Sequence, residues 1–317
     1  MRYAHYFSLV AVLSLVSAGA AVAQEVQRDE IVRVDANLIT VPTQVMDRDG
    51  RFITDLKKED FQIFEDGIEQ EISFFDPVEK PFTILFLLDV SGSMSSHLGQ
   101  LAVAANTFMS QLRPDDKLIA ISFCDEVQTI SELASVRETK GIKQFKLRIC
   151  GAHTYVYDAV HHALKRMRKI PRRKAIVLFS DGFSGNRYAT AKSTIREAEE
   201  QDAMIYTIQF NTAPKELPRN ASKKHFYETI ETANNYMTGL AQKTGGRHYR
   251  VEDLSDLAKT FGSVADELRR QYSLGYYPKR PLSEGQRRQI TVKVRRPGVV
   301  VLARESYVAV PPQGRAR

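Results

Sequence analysis

The chain has 317 residues, of which 43% are hydrophobic and 26% charged, and its formal net charge is +7. That composition fits a folded chain with a sizeable core and excludes global disorder. The positive charge favours acidic surfaces, but no aromatic stacking residues or recognised module accompany the basic stretch from Lys165 to Lys174, so no nucleic-acid partner is expected. A solvated helix end is the expected place for those cations, which suit a helix C-terminus.

Residues 1–23 read as a signal peptide. Arg2 and His5 precede a short apolar run, Phe7 to Val16, and Ala21-Val22-Ala23 supplies an A-x-A cleavage site. Cleavage near Ala23 would leave a mature chain starting at Gln24 and place it in the periplasm or the medium. No later segment has the uninterrupted apolar length of a membrane helix.

Residues 31–80 have strand-and-turn character. An extended stretch starts at Leu38 and runs to Val45, followed by turn residues Asp47 to Gly50. Phe61 to Phe64, then Glu65-Asp66-Gly67, then Ile68 to Phe75 predict a hairpin.

From residue 81 to 278 buried strands alternate with amphipathic helices. Strands are expected at Thr83–Leu88, Leu118–Phe123, Val127–Ile130, Ala175–Phe179, Met204–Phe210 and His248–Val251. Helices are expected at Leu98–Leu112, Tyr155–Met167, Thr190–Glu200, Asn234–Lys243 and Leu254–Arg270. The continuous apolar run Thr83 to Leu88 suits a strand covered on both faces of a parallel sheet.

Between residues 286 and 310, Ile290, Val292 and Val294 alternate with polar residues. Pro297-Gly298 turns the chain into a return strand, Val299 to Val310, and residues 311–317 form a frayed tail. The expected fold class is α/β: a doubly wound, mostly parallel sheet with a small β-sandwich-like module made from the N- and C-terminal segments.

Two cysteines, Cys124 and Cys150, allow a single intramolecular pairing in an oxidising compartment. They either form that disulfide or stand as two buried thiols.

The chemistry concentrates at strand ends. Thr83 to Met94 reads TILFLLDVSGSM, so a buried strand runs directly into Asp89-Val90-Ser91-Gly92-Ser93. Ligands of open α/β sheets bind beyond the carboxyl ends of the strands. Asp181-Gly182 follows another buried strand, and Thr154 stands where a loop enters a helix. Asp89, Ser91, Ser93, Thr154 and Asp181 offer hard oxygen donors only, which suit magnesium, calcium or manganese rather than zinc or copper.

The D-x-S-x-S loop, Thr154 before Y-V-Y-D-A and the S-D-G segment resemble the von Willebrand factor type A domain. The flanking segments Leu56 to Phe75 and Arg270 to Pro278, with the closing hairpin, resemble a related family common in Acidobacteria. The resemblance covers most of Val34 to Val310. It implies that these five residues form a metal-ion-dependent adhesion site (MIDAS), with Ser91, Ser93 and Thr154 as hydroxyl ligands. Asp89 and Asp181 would act directly or through water. The partner would be a protein offering an acidic side chain to the open coordination position, and the implied role is interaction or adhesion.

One position departs from the family pattern: His153 stands where glycine is common. There it either crowds the site, adds a pH-sensitive donor, or lies inert at the surface. A structural envelope component with a non-binding spacer domain is the main alternative. Magnesium-assisted hydrolysis is a further one, but the sequence has no G-x-S-x-G elbow, H-E-x-x-H motif or Walker loop, so no enzyme is expected. The sequence does not specify the oligomeric state.

Overall fold

A computed structural model describes residues 38–78, 80–139, 151, 153–171, 173–212 and 222–310. These belong to one compact unit that begins at Ala36. The predicted signal peptide and the C-terminal tail lie outside the described residues, as does Cys150.

A six-stranded sheet forms the centre. Its strands are β5 (Thr83–Asp89), β6 (Lys117–Phe123), β7 (Val127–Ser135), β8 (Lys174–Ser180), β9 (Met204–Phe210) and β10 (His248–Val251), in the order β10-β9-β8-β5-β6-β7. All neighbours are parallel except β7, which runs antiparallel to β6 at the edge. Every residue of β5, β8 and β9 is buried, as expected for central strands with helices on both faces.

Period-two alternation sorts the strand residues onto two faces. Ile84, Phe86 and Leu88 of β5 pack against α1 (Leu98–Gln111) and α6 (Leu257–Arg269). There the rings of Phe86, Phe108 and Phe261 meet edge-on, with centroids 4.7–5.7 Å apart. Leu85 and Leu87 face the other layer, which contains α3 (Val156–Met167), α4 (Ala191–Glu199) and α5 (Lys223–Lys243). Thr190 caps α4, its hydroxyl accepting from the Ser193 N–H at 3.1 Å. A single turn, α2 (Val136–Thr139), follows β7. No helix among the described residues is long and apolar enough to cross a membrane.

Two further four-stranded sheets contain the remaining strands: β1 (Ile39–Asp47), β2 (Phe61–Glu65), β3 (Ile68–Gln70), β4 (Ile72–Asp76), β11 (Tyr272–Tyr276), β12 (Arg287–Val294), β13 (Val299–Ala303) and β14 (Ser306–Val308). Their orders are β13-β1-β11-β4 and β14-β12-β2-β3. N-terminal and C-terminal strands thus interleave in both sheets. Val41, Val45, Ile63, Tyr272, Tyr276 and Ile290 fill the shared core.

The Asp66-Gly67 turn joins β2 to β3 in the expected hairpin. The chain then breaks at Glu71 and enters the other sheet as β4, which pairs with β11. The segment after Pro297-Gly298 is also divided: β13 pairs with β1, and β14 returns to β12. Each change of sheet coincides with a short break in the strand, at Glu71 and at Arg304-Glu305.

Buried cations join this module to the α/β domain. Arg304 donates to the carbonyls of Gln201 (2.7 Å) and Thr40 (2.6 Å). Arg173, held at φ 60°, donates to Pro77, Gln271 and Val78 carbonyls. Lys174 caps the end of α3 through the Met167 and Ile170 carbonyls and pairs with Asp202 at 2.8 Å. Arg173 and Lys174 are only 4% and 6% exposed, so this end of the basic stretch is not solvated as expected. Backbone carbonyls that would otherwise be orphaned at the junction hold the charges inside. Cys124, buried just after β6, is disulfide-bonded.

Candidate metal-binding site

The site follows from strand register. Because β5 and β8 are parallel neighbours, with Leu88 opposite Phe179, Asp89 and Asp181 emerge at the same sheet edge. The Asp89 carboxylate is fully buried. Its Oδ1 accepts the Ser91 N–H at 3.0 Å and its Oδ2 accepts the Ser180 hydroxyl at 2.6 Å. The first contact closes the loop locally, so that Ser91 and Ser93 stand beside the carboxylate as the chain enters a 3-10 turn, Gly92–His97.

Ser93 connects the two strand ends. Its hydroxyl lies 3.2 Å from that of Ser91 and donates to Asp181 Oδ2 at 2.7 Å. The Thr212 hydroxyl, just past β9, donates to the same Oδ2 at 2.7 Å, and the Phe183 N–H donates to Oδ1 at 3.1 Å. Asp89, Ser91, Ser93 and Asp181 therefore form one hydrogen-bonded cluster. Ser180 and Thr212, which the sequence reading did not single out, orient its two carboxylates.

Thr154 stands apart from that cluster. It is half-buried, its carbonyl accepts the Gly185 N–H at 2.8 Å, and its hydroxyl joins no hydrogen bond among the described residues. Its oxygen thus keeps free lone pairs. The carbonyl of Gly151, three residues earlier, approaches Gly92 closely enough that a Cβ there would sit 4.0 Å from it. His153 is exposed, its ring centroid 6.3 Å from that of Tyr155.

Burial pushes the Asp89 carboxyl up to about 7, with the nearby Asp181 charge adding to the effect. The hydrogen bonds from Ser180 and Ser91 pull the other way without overcoming it. No group of three or more His, Cys, Asp or Glu side chains suited to a metal occurs among the described residues. The donors here are two carboxylates plus hydroxyls, a set that fits a hard dication and offers nothing soft.

Gly182 limits what the second loop tolerates. It adopts φ +84°, and a Cβ there would lie 3.0 Å from Met237 Cγ and 3.2 Å from Ala233 Cβ. Left-handed backbone costs an L-residue roughly 1–2 kcal/mol before any contact is counted. Gly182→Ala is expected to lower stability by at least that much in urea unfolding; a change below ~0.5 kcal/mol would contradict the account.

Residues 84–184 match the family model of the von Willebrand factor type A domain. The chain carries a von Willebrand factor type A domain. The match spans β5 through the Asp181 loop, the segment that supplies all five candidate ligands.

Among solved structures, the chain is similar to a von Willebrand factor type A protein from Catenulispora acidiphila, at 13% identity and TM-score 0.45, covering 78% of this chain and 73% of that one. It is similar to proximal thread matrix protein 1 of the mussel byssus with a zinc-occupied MIDAS motif, at 15% identity and TM-score 0.48, covering 64% and 49%. A third is the pilus adhesin SpaC of Lactobacillus rhamnosus GG, at 10% identity and TM-score 0.48, covering 79% and 48%. The chain thus spans about half the length of the mussel and pilus proteins. No curated protein matches it.

Proposed function

We propose that the A domain is a metal-dependent protein-interaction module. Asp89, Ser91, Ser93, Thr154 and Asp181 would hold a divalent cation, magnesium first, with manganese or calcium as substitutes. The bound ion would supply a Lewis-acidic position for an acidic side chain of a partner protein. Two carboxylates only neutralise a dication, so an incoming carboxylate is still attracted.

The observation that carries this reading is the Ser93 bridge. One hydroxyl links the Asp89–Ser91 loop to Asp181, gathering hard oxygens from two strand ends around a buried carboxylate with no compensating positive charge among the described residues. The protein's own part is to orient these oxygens and to keep Asp89 out of water.

We read this as binding rather than catalysis, because a metal-assisted hydrolase needs a base held beside the ion. His153, the histidine next to Thr154 in sequence, is exposed, with no hydrogen bond among the described residues. Calorimetric titration of magnesium and manganese into the protein, beside an Asp89→Ala, Asp181→Ala variant, tests the reading. Saturable binding lost in the variant supports it. No binding by the folded parent would favour a spacer domain without a ligand.

Export belongs to the same proposal. N-terminal sequencing of protein recovered from the periplasm or medium of an expressing bacterium should begin at Gln24. A chain that retains its first 23 residues in the cytoplasm would contradict it.

A further inference from the structure

Beside Thr154, the loop after Asp181 carries a cation with no acidic partner among the described residues. Arg187 is exposed, and among the described residues no carboxylate pairs with it. Its guanidinium carbon lies 5.7 Å from the Tyr155 ring centroid and 4.9 Å from that of Tyr188. Nη1 donates to the Asp125 carbonyl at 3.2 Å, and the remaining donors of the fork have no partner among the described residues. Two aromatic faces and one carbonyl thus hold an exposed arginine that would otherwise be free to swing.

The platform is fastened to Thr154 and to the start of α3. The Gly185 N–H donates to the Thr154 carbonyl at 2.8 Å, and a Cβ on Gly185 would come within 3.1 Å of the Tyr155 ring. Asp158, at the start of α3, accepts the N–H groups of Tyr188 (3.2 Å) and Ala189 (2.7 Å) through one oxygen. The Tyr155 N–H in turn donates to the Cys124 carbonyl at 3.0 Å. Tyr188 itself is 81% exposed.

We infer that Arg187 is a second carboxylate receptor, so that the partner presents two acidic side chains, one to the metal and one to this guanidinium. The inference rests on the metal-dependent reading proposed above. An arginine fork matches a carboxylate geometrically, and fixing it in advance reduces the ordering cost of binding. Arginine and tyrosine are also the residues that most often dominate interface energetics. Charge complementarity selects the occupant: a cation beside a dication favours a diacidic segment over a basic or neutral one.

The test uses manganese-loaded protein and synthetic peptides acetyl-Glu-(Gly)n-Glu-amide, with zero to four glycines, against the same series ending in Gln-amide. At the best spacing, the diacidic peptide should bind about fivefold more tightly at low salt, the upper range for an exposed ion pair. That advantage should vanish in Arg187→Gln, while the mono-acidic series binds as before.

Equal binding of the two series to the parent would overturn the inference and leave the metal site standing. A diacidic advantage that survives Arg187→Gln would overturn the assignment to Arg187. If no peptide binds in a chelator-sensitive way, the metal-dependent reading and this inference fall together.

Discussion

Replacing Asp89 with alanine should reduce divalent-metal affinity by at least ~100-fold. Changing a residue that merely orients a ligand typically costs about 10–100-fold, and Asp89 is proposed as more than that. Ser180→Ala and Thr212→Val, which remove only the hydroxyls donating to Asp89 and Asp181, should fall inside that smaller range. If the two groups of variants had equal effects, the assignment of inner and outer roles would be wrong.

The metal site should also respond to pH. Asp89 titrates near 7 in the folded protein, against an ordinary value of 3.8, so between those values the folded chain holds a proton that the unfolded chain has released. Stability without metal should therefore decline as pH rises through that window, and level off above it. A cation must displace the same proton, so metal affinity should rise with pH toward about 7, by up to one decade per unit, and then flatten. Calorimetry at pH 5.5 to 8.5 in buffers of different ionisation enthalpy measures both the slope and the released proton. Constant affinity from pH 5.5 to 7.5 would exclude Asp89 as the coupled group.

Much of the fold was legible because burial on two faces leaves a plain mark in sequence. Ile84 to Leu88 and Ala175 to Phe179 are unbroken apolar runs, and both belong to central strands of the parallel sheet. The β composition at both ends likewise indicated a second, sandwich-like layer, and the structure has two antiparallel sheets made from those segments together with β11, which the sequence reading had left inside the 81–278 domain. The breaks at Glu71 and Arg304 were not visible, because strand propensity persists across them and only the packed partner decides which sheet each piece joins.

Helix α5 begins at Lys223 rather than Asn234. Its first half, KKHFYETIETA, carries only a thin apolar row, Phe226, Ile230 and Ala233, among mostly polar residues, so its helical period is easily overlooked. In the candidate site, Asp89, Ser91, Ser93 and Asp181 were found through recognisable spacing. Ser180 and Thr212 were not, since a single hydroxyl at a strand end becomes informative only once neighbouring strands bring it to a carboxylate. Arg173 and Lys174 misled for the opposite reason. A run of cations normally indicates water, and nothing in the local sequence reveals the carbonyls waiting at the junction.

Breaking the pair Glu65–Arg288 should cost about 3–5 kcal/mol, the usual penalty for leaving a buried charge without its partner. Glu65 is 0% and Arg288 3% exposed, and they meet at 2.8 Å. The other carboxylate oxygen accepts the hydroxyls of Tyr276 (2.8 Å) and Tyr307 (2.7 Å), while the second guanidinium nitrogen reaches the Pro281 carbonyl at 2.6 Å. One cluster therefore ties β2 to β11, β12 and β14, joining chain segments from both ends of the sequence.

Glu65→Gln leaves the arginine with only the more distant Asp66 carboxylate, 3.9 Å from Nε, and Arg288→Met leaves the Glu65 carboxylate uncompensated. The double variant strands no charge and should be much less unstable than the sum of the two, giving a clear coupling in a double-mutant cycle. Urea unfolding of all four proteins measures it; additive effects, or single losses below ~1 kcal/mol, would refute the account. The loss should extend beyond the module. Gln44 of β1 donates to the Tyr206 hydroxyl and the Glu267 carbonyl, both at 2.9 Å, and Arg304 crosses to Gln201. Loosening the β sheets would strip these partners from buried groups of the A domain, so metal binding and β structure should disappear in the same transition. An A domain that still bound metal after the module had unfolded would show instead that the junction transmits nothing.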